Sequence, residues 1–306
     1  MKLFGKSEWK RIAYGWALCL TAVGAVMTGG LLFSTLLGIG CVLGAKEFIS
    51  MAQAKGYKPS VRIVYGMTIA FIVLASLPKF PGVHLPETFP LSHYPIVLTV
   101  GLCISFFRLV LRSERPPATI ADIASTILGF LYVGWMPSHL ILLRNIGPAG
   151  SESITNPLQQ PGLAYLWVSL FIIWATDVMA YYFGKKLGKT PLHPEISPKK
   201  TVEGALGGLL SAVFWATVVV YFSDNFLFPS RPFQGNLWQA PIMGFVVSIA
   251  AQLGDLAESL IKRDAGMKDS SNMIPGHGGF LDRGDSLLFA GPICFYWIKI
   301  VVLGIL

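Results

Sequence analysis

The chain has 306 residues, of which 53% are hydrophobic and only 13% charged, with a formal net charge of +8. Soluble domains carry about a quarter charged residues, so this composition excludes an ordinary water-soluble domain and points to a membrane protein. In that class an excess of Lys and Arg reflects a positive-inside bias, and no nucleic-acid partner is expected.

Between Arg11 and Lys46 lie 34 residues without a charge, too many for one span of about 20 residues. Thr28-Gly29-Gly30 in the middle predicts two helices joined by a tight turn. The run is too long for the apolar region of a signal peptide and has no clear cleavage pattern, so a cleavable leader is not expected. Continuing along the chain, apolar runs between charges and Pro/Gly breaks predict about nine spans: 12–28, 30–45, 62–78, 94–111, 118–138, 162–183, 204–223, 239–261 and 286–304. With the N-terminus in the cytoplasm and the side reversed at each span, twenty Lys and Arg fall in cytoplasmic segments. Only Lys79, Arg144 and Arg231 fall on the other side, and Lys299 lies within the last span. That asymmetry is the positive-inside pattern.

The predicted fold class is therefore an all-α integral membrane protein, a polytopic helical bundle forming one membrane domain. Residues 1–160 supply N-terminal helices; residues 161–306 supply C-terminal catalytic helices and cytoplasmic loops. Cys19, Cys41, Cys103 and Cys294 all sit inside apolar runs and read as small buried hydrophobes. No zinc-type spacing is present. The loops 79–93, 139–161 and 224–238 are nearly uncharged connectors, and His84, His93, His139 and His193 read as incidental.

Ionisable residues inside spans are expensive unless paired, hydrated or ion-bound. Asp122 near the start of its span is expected to stabilise a helix N-terminus, and Lys299 to reach the interface. Asp177 shares a helix face with Tyr181 and Gly184 that ends in a basic loop. Asp255, Glu258, Ser259 and Lys262 stand at i, i+3, i+4 and i+7, one polar stripe on an otherwise apolar helix. Lipid cannot accept that face, so it is expected to line a polar cavity.

After the stripe come Lys262, Arg263, Lys268 and Asp269, the turn Pro275-Gly276-His277-Gly278-Gly279, then Asp282, Arg283 and Asp285. Carboxylates suit a hard cation such as Mg2+, which takes one or two of them plus substrate phosphates. Lys and Arg suit phosphate, and glycines let backbone N–H groups approach an anion. Together they describe a phosphoryl- or nucleotidyl-transfer site. Lys199 and Lys200, in Ser197-Pro198-Lys199-Lys200-Thr201-Val202-Glu203-Gly204, could hold phosphate at a helix N-terminus or simply be positive-inside charges.

The array Ser259-x-x-Lys262-Arg263, Lys268-Asp269, Pro275-x-His277-Gly278-Gly279-x-x-Asp282-Arg283-x-Asp285 resembles the signature of CDP-diacylglycerol synthases, also called phosphatidate cytidylyltransferases. The segment around Asp177 and the Lys199-Lys200 element resemble parts of that family too. Gly284 stands where the family usually has a bulkier apolar residue, and Val202 where an aromatic is common.

The resemblance implies the reaction CTP plus phosphatidate giving CDP-diacylglycerol and pyrophosphate, with Mg2+, in phospholipid biosynthesis. Phosphatidate, already ionised, would attack the α-phosphorus directly, so the residues have mainly to bring two polyanions together and neutralise charge. Asp255 and Asp282 are then the expected principal metal carboxylates, with Asp285 and Asp269 in support. A second cation such as K+ fits a dimetal in-line displacement. Lys262, Arg263, Lys268, Arg283, Lys199 and Lys200 are expected to hold phosphates, with Ser259 and Asp177 at the substrate site. His277, Gly278 and Gly279 would shape the nucleotide turn. The implied partners are CTP, phosphatidate and the lipid bilayer of a bacterial plasma membrane or an organellar inner membrane. A homodimer is common for such bundles, although no motif encodes one. The rival readings are a lipid or polyprenol kinase that uses CTP as phosphoryl donor, and an ion-coupled secondary transporter with Asp177 and Asp255 as coupling sites.

Overall fold

Successive apolar stretches do form helices in the computed structural model, which describes residues 6–83, 85–86, 88–111, 117–147, 156–271, 273 and 278–305. In chain order they are α1 (Lys6–Thr28), α2 (Gly30–Ala54), α3 (Val61–Ser76), α4 (Phe89–Val110), α5 (Ile120–Phe130), α6 (Met136–Asn145), α7 (Pro161–Leu187), α8 (Val202–Phe222), α9 (Gln239–Asp264) and α10 (Leu281–Trp297). Between α7 and α8 lies a small antiparallel hairpin of β1 (Pro191–His193) and β2 (Ser197–Thr201), with Pro191 opposite Thr201 and His193 opposite Ser197. Among the described residues, eight helical stretches are long and apolar enough to cross a membrane. The apolar part of α1, Gly15–Thr28, is shorter. The protein is an all-α polytopic membrane protein.

The chain divides into two compact units. One holds Met1–Ser138 and Ile261–Gly284; the other holds His139–Leu260 and Asp285–Leu306. In the first unit, glycines let helices approach closely, as is usual without a hydrophobic drive between helices in lipid. A side chain at Gly134 would meet the Thr68 backbone, and one at Gly129 would meet Phe48 and Val64. Asp122 stabilises the α5 N-terminus as expected: Thr119 and Asp122 form a capping box, and Asp122 also accepts the Lys58 N–H at 2.6 Å.

In the second unit α8 lies on α7 through Gly204, Gly207 and Gly208. Added side chains there would run into the Ala180 carbonyl, the Phe183 ring and the Thr176 carbonyl respectively. Asp224 accepts the N–H groups of Phe233 and Gly235, and the Tyr165 hydroxyl donates to the Pro232 carbonyl, ordering the connector before α9.

Several expectations need correction. The fifth predicted span does not stop at residue 138: a π-helical turn over Leu131–Trp135 leads into α6, so the helical path passes Pro137 and continues to Asn145. His139 is consequently not an incidental loop residue. It is fully buried, stacks obliquely on Tyr296 and lies 3.3 Å from that hydroxyl. The second span runs to Ala54 and not to residue 45, because helix propagation tolerates Lys46 and Glu47 once the chain leaves the apolar layer. Cys41 and Cys294 are buried, whereas Cys19 and Cys103 are exposed, facing outward on apolar helices. His84 lies outside the described residues.

Candidate active site

α10 begins at Leu281, so Asp282 falls in its first turn and the unpaired N–H groups of that turn need acceptors. The N–H of Leu281 goes to Glu47, and Asp282 turns back to the segment that precedes the helix. Its Oδ2 accepts from Gly279 N at 2.8 Å, Ser270 N at 2.9 Å and Ser270 Oγ at 2.8 Å. Its Oδ1 accepts from the Lys262 ammonium at 2.6 Å, with the two side chains only 8% and 12% exposed. A carboxylate and an ammonium buried this far stay charged by pairing.

The glycines of the motif have steric roles. Gly278 has φ +80°, and a Cβ there would lie 2.7 Å from Asp282 Oδ2. A Cβ on Gly279 would collide with the Ser270 hydroxyl and the Glu47 carboxylate. Arg263 is exposed, and its Nη1 donates to the Met267 carbonyl at 3.2 Å. Lys268, Asp269 and Arg283 are exposed. His277, Pro275 and Gly276 lie outside the described residues.

A second cluster forms in the other unit. Lys200, on β2, pairs with Asp255 on α9 at 2.6 Å, the side chains being 28% and 32% exposed. Asp177, exposed on α7, accepts from the Ser286 hydroxyl at 3.3 Å and is within electrostatic reach of both Asp255 and Lys200. The hairpin that presents Lys200 is tied to α8: Glu203 accepts the N–H groups of Lys189 and Thr190, and Thr201 caps the helix by accepting from Gly204 N. Lys199, on the same strand, is exposed. Asp285 Oδ1 accepts its neighbour's N–H, that of Ser286, at 2.7 Å. Glu258 is fully buried, and Ser259 is half-buried beside it on α9.

The predicted residues thus gather as Lys262, Gly278, Gly279 and Asp282 in one unit and Asp177, Lys200 and Asp255 in the other. Sequence reasoning missed Glu47, Ser270, Ser271 and Ser286. Glu47 could have been found as a carboxylate directly following 34 uncharged residues and Lys46; the serines carry no such signal.

Among the described residues no group of three or more His, Cys, Asp or Glu side chains is placed to hold a metal. The second cluster instead offers two neighbouring carboxylates. Hard oxygen donors in that number suit Mg2+, which completes its shell with water and substrate phosphates.

Beyond this geometry, a profile of the Cytidylyltransferase family matches residues 9–301. The chain belongs to the cytidylyltransferase family. Phosphatidate cytidylyltransferase of Staphylococcus aureus (strain COL) is 44% identical over 269 residues, covering 88% of this chain and 90% of that protein. The phosphatidate cytidylyltransferase of Synechocystis sp. is 34% identical over 297 residues, 92% of this chain and 93% of its own. Phosphatidate cytidylyltransferase 4, chloroplastic, of Arabidopsis thaliana is 32% identical over 305 residues, 95% of this chain and 73% of its own. This cytidylyltransferase is therefore a nucleotidyl-transferring enzyme, and the match runs through the N-terminal helices as well as the charged motif.

Proposed function

We propose that the protein is a Mg2+-dependent phosphatidate cytidylyltransferase, converting CTP and phosphatidate to CDP-diacylglycerol and pyrophosphate. The observation that carries the reading is the placement of carboxylates against lysines in the motif: Asp282 with Lys262 and Asp255 with Lys200. Each pair sets hard oxygen donors suited to a cation beside an ammonium suited to phosphate. The S. aureus relative carries the name phosphatidate cytidylyltransferase over nearly its whole length, which supports the substrate assignment.

An ionised phosphate oxygen of phosphatidate attacks the α-phosphorus of CTP, forming the new P–O bond as the α–β bond breaks and pyrophosphate departs. No base is required. Asp255 and Asp282 are the carboxylates that would serve the metal, with Asp285 and Asp269 in support. Bound Mg2+ supplies charge neutralisation to the phosphates, and K+ is the proposed second cation. Lys262, Lys200, Lys199, Lys268, Arg263 and Arg283 take phosphate oxygens, with Ser259 and Asp177 at the substrate site. His277 with Gly278 and Gly279 shapes the nucleotide turn. Basic segments and the N-terminus face the cytoplasm, where CTP is dissolved, and the protein works as a homodimer.

The test is incubation of the purified protein with Mg2+, phosphatidate and CTP labelled separately in cytidine and in the γ-phosphate. Cytidine label in the lipid product supports the reading. γ-Label in the lipid identifies a kinase, and a folded sample giving neither product overturns both enzyme readings.

A further inference from the structure

Glu47 sits on α2, more than 220 residues before the charged motif, and is only 2% exposed. Its carboxylate accepts four hydrogen bonds, all from the motif segment. Oε1 takes Ser271 Oγ at 2.6 Å and Phe280 N at 2.9 Å. Oε2 takes Ser270 Oγ and Leu281 N, both at 2.9 Å. Phe280 N and Leu281 N are orphan donors at the start of α10, so α2 caps that helix from a distance. The same face of α2 receives the side chains. Gly40, Gly44 and Glu47 stand at i, i+4 and i+7; a Cβ on Gly40 would overlap the Phe280 ring, and one on Gly44 would lie 3.1 Å from Leu281 Cδ2. The Ser270 hydroxyl lies between Glu47 Oε2 and Asp282 Oδ2, at 2.9 and 2.8 Å, so the two carboxylates share its single proton.

We propose that Glu47 is a positioning residue of the active site: it fixes Ser270 and Ser271 of the motif and the first turn of α10, and through them the direction of Asp282. This rests on the reading of Asp282 as a catalytic carboxylate. Glu47 touches no substrate. It fills every acceptor position it has with donors of the motif, and a saturated, buried carboxylate holds its partners far more rigidly than a solvated one.

Glu47→Gln retains the shape but offers one acceptor oxygen where four donors converge, so about two of them lose their partner. Misplacing a reacting group by about 1 Å can cost on the order of 100-fold in rate, so kcat is expected to fall about 10-fold or more while KM for phosphatidate stays within about two-fold. Glu47→Asp, which keeps the charge but is one methylene short, should fall between the two. Amide exchange at Phe280 and Leu281, measured by mass spectrometry on the intact protein in detergent, should accelerate at least about 10-fold in Glu47→Gln with α7 and α8 unchanged.

Wild-type kcat together with wild-type exchange at these amides would overturn the proposal, and so would a uniform loss of folded protein with normal kcat per folded molecule. Should Glu47→Gln fail to fold, Ser271→Ala decides: it removes one donor, and a wild-type kcat with unaltered Phe280 exchange likewise overturns the proposal. If wild-type protein makes no CDP-lipid, the enzymatic reading fails, and the exchange measurement still reports on the anchor by itself.

Discussion

Replacing Asp282 by Asn keeps the outline of the side chain and removes its charge and one acceptor oxygen. Four donors converge on the native carboxylate: Ser270 N, Ser270 Oγ, Gly279 N and the Lys262 ammonium, at 2.9, 2.8, 2.8 and 2.6 Å. The amide oxygen can accept about two of them, and its NH2 group is turned towards the others. Lys262, only 12% exposed, loses the counter-charge that Asp282 supplies. Breaking one side of a buried ion pair costs about 3–5 kcal/mol. Lys262→Met should cost less, about 1–2 kcal/mol, since Asp282 keeps its three uncharged donors. In the double variant the buried ammonium is gone as well, so part of the loss returns as a coupling of about 2 kcal/mol. Unfolding in mixed micelles measures the four corners of this cycle. A coupling below about 0.5 kcal/mol would refute the ion pair as a stabilising contact. Turnover separates stability from chemistry: CDP-lipid formation is expected to be lost in both Asp282→Asn backgrounds, including the one whose stability recovers. Wild-type-like rates in either would remove Asp282 from the metal site.

Gly279 and Gly284 of the motif should respond in opposite directions. Gly279→Ala forces a methyl into the Ser270 hydroxyl and the Glu47 carboxylate and should destabilise by about 1–3 kcal/mol, read as a lowered unfolding midpoint. Gly284→Ala lies within α10 with nothing within 4 Å of the added carbon, and should stabilise by up to about 1 kcal/mol in the same assay. Lys200→Gln breaks a pair that is 28% and 32% exposed, worth about 0–1 kcal/mol to folding; unfolding should hardly change while CTP-dependent turnover, measured as CDP-lipid formed, falls about 10-fold through a lost charge-assisted phosphate contact. Gly208→Leu drives a side chain against the Thr176 carbonyl and Ala180, and should separate α7 from α8, seen as loss of monodisperse protein in detergent.

Class and most helices were legible because a membrane leaves few options: long uncharged runs become helices, and charges mark their ends. The errors arose where that rule is local. Lys46 looked like the end of α2, yet the helix runs to Ala54 and carries Glu47 on its extra turns. Pro137 looked like the end of a span, yet a π-helical turn precedes it and α6 continues to Asn145. At the site, spacing made Asp282 and Asp285 candidates for one point. Their carboxylates are used differently, Asp282 as an acceptor for Ser270, Gly279 and Lys262, Asp285 for the N–H of Ser286. Residue type and spacing showed which groups carry charge; they could not show which backbone donors would claim those charges first.

That competition explains why a motif of about 27 residues belongs with helices far from it in sequence. Ile261–Gly284 forms a compact unit with residues 1–138 and not with the helices that flank it in the chain. Among the described residues between α9 and α10 no helix or strand is formed, so N–H groups such as those of Ser270, Gly279 and Phe280 take side-chain acceptors. Asp282 supplies acceptors locally, and on the proposed function it is also a metal carboxylate. A second carboxylate, Glu47, takes Phe280 N, Leu281 N and the hydroxyls of Ser270 and Ser271, which leaves Asp282 Oδ1 with the Lys262 ammonium as the partner at 2.6 Å. An ammonium can be exchanged for a cation or turned to a phosphate; a backbone N–H held in a helix cap cannot. Each carboxylate thus holds two backbone N–H groups, Asp282 those of Ser270 and Gly279 and Glu47 those of Phe280 and Leu281, while the exchangeable ammonium falls to Asp282 Oδ1; the division of donors needs Glu47, and so needs α2.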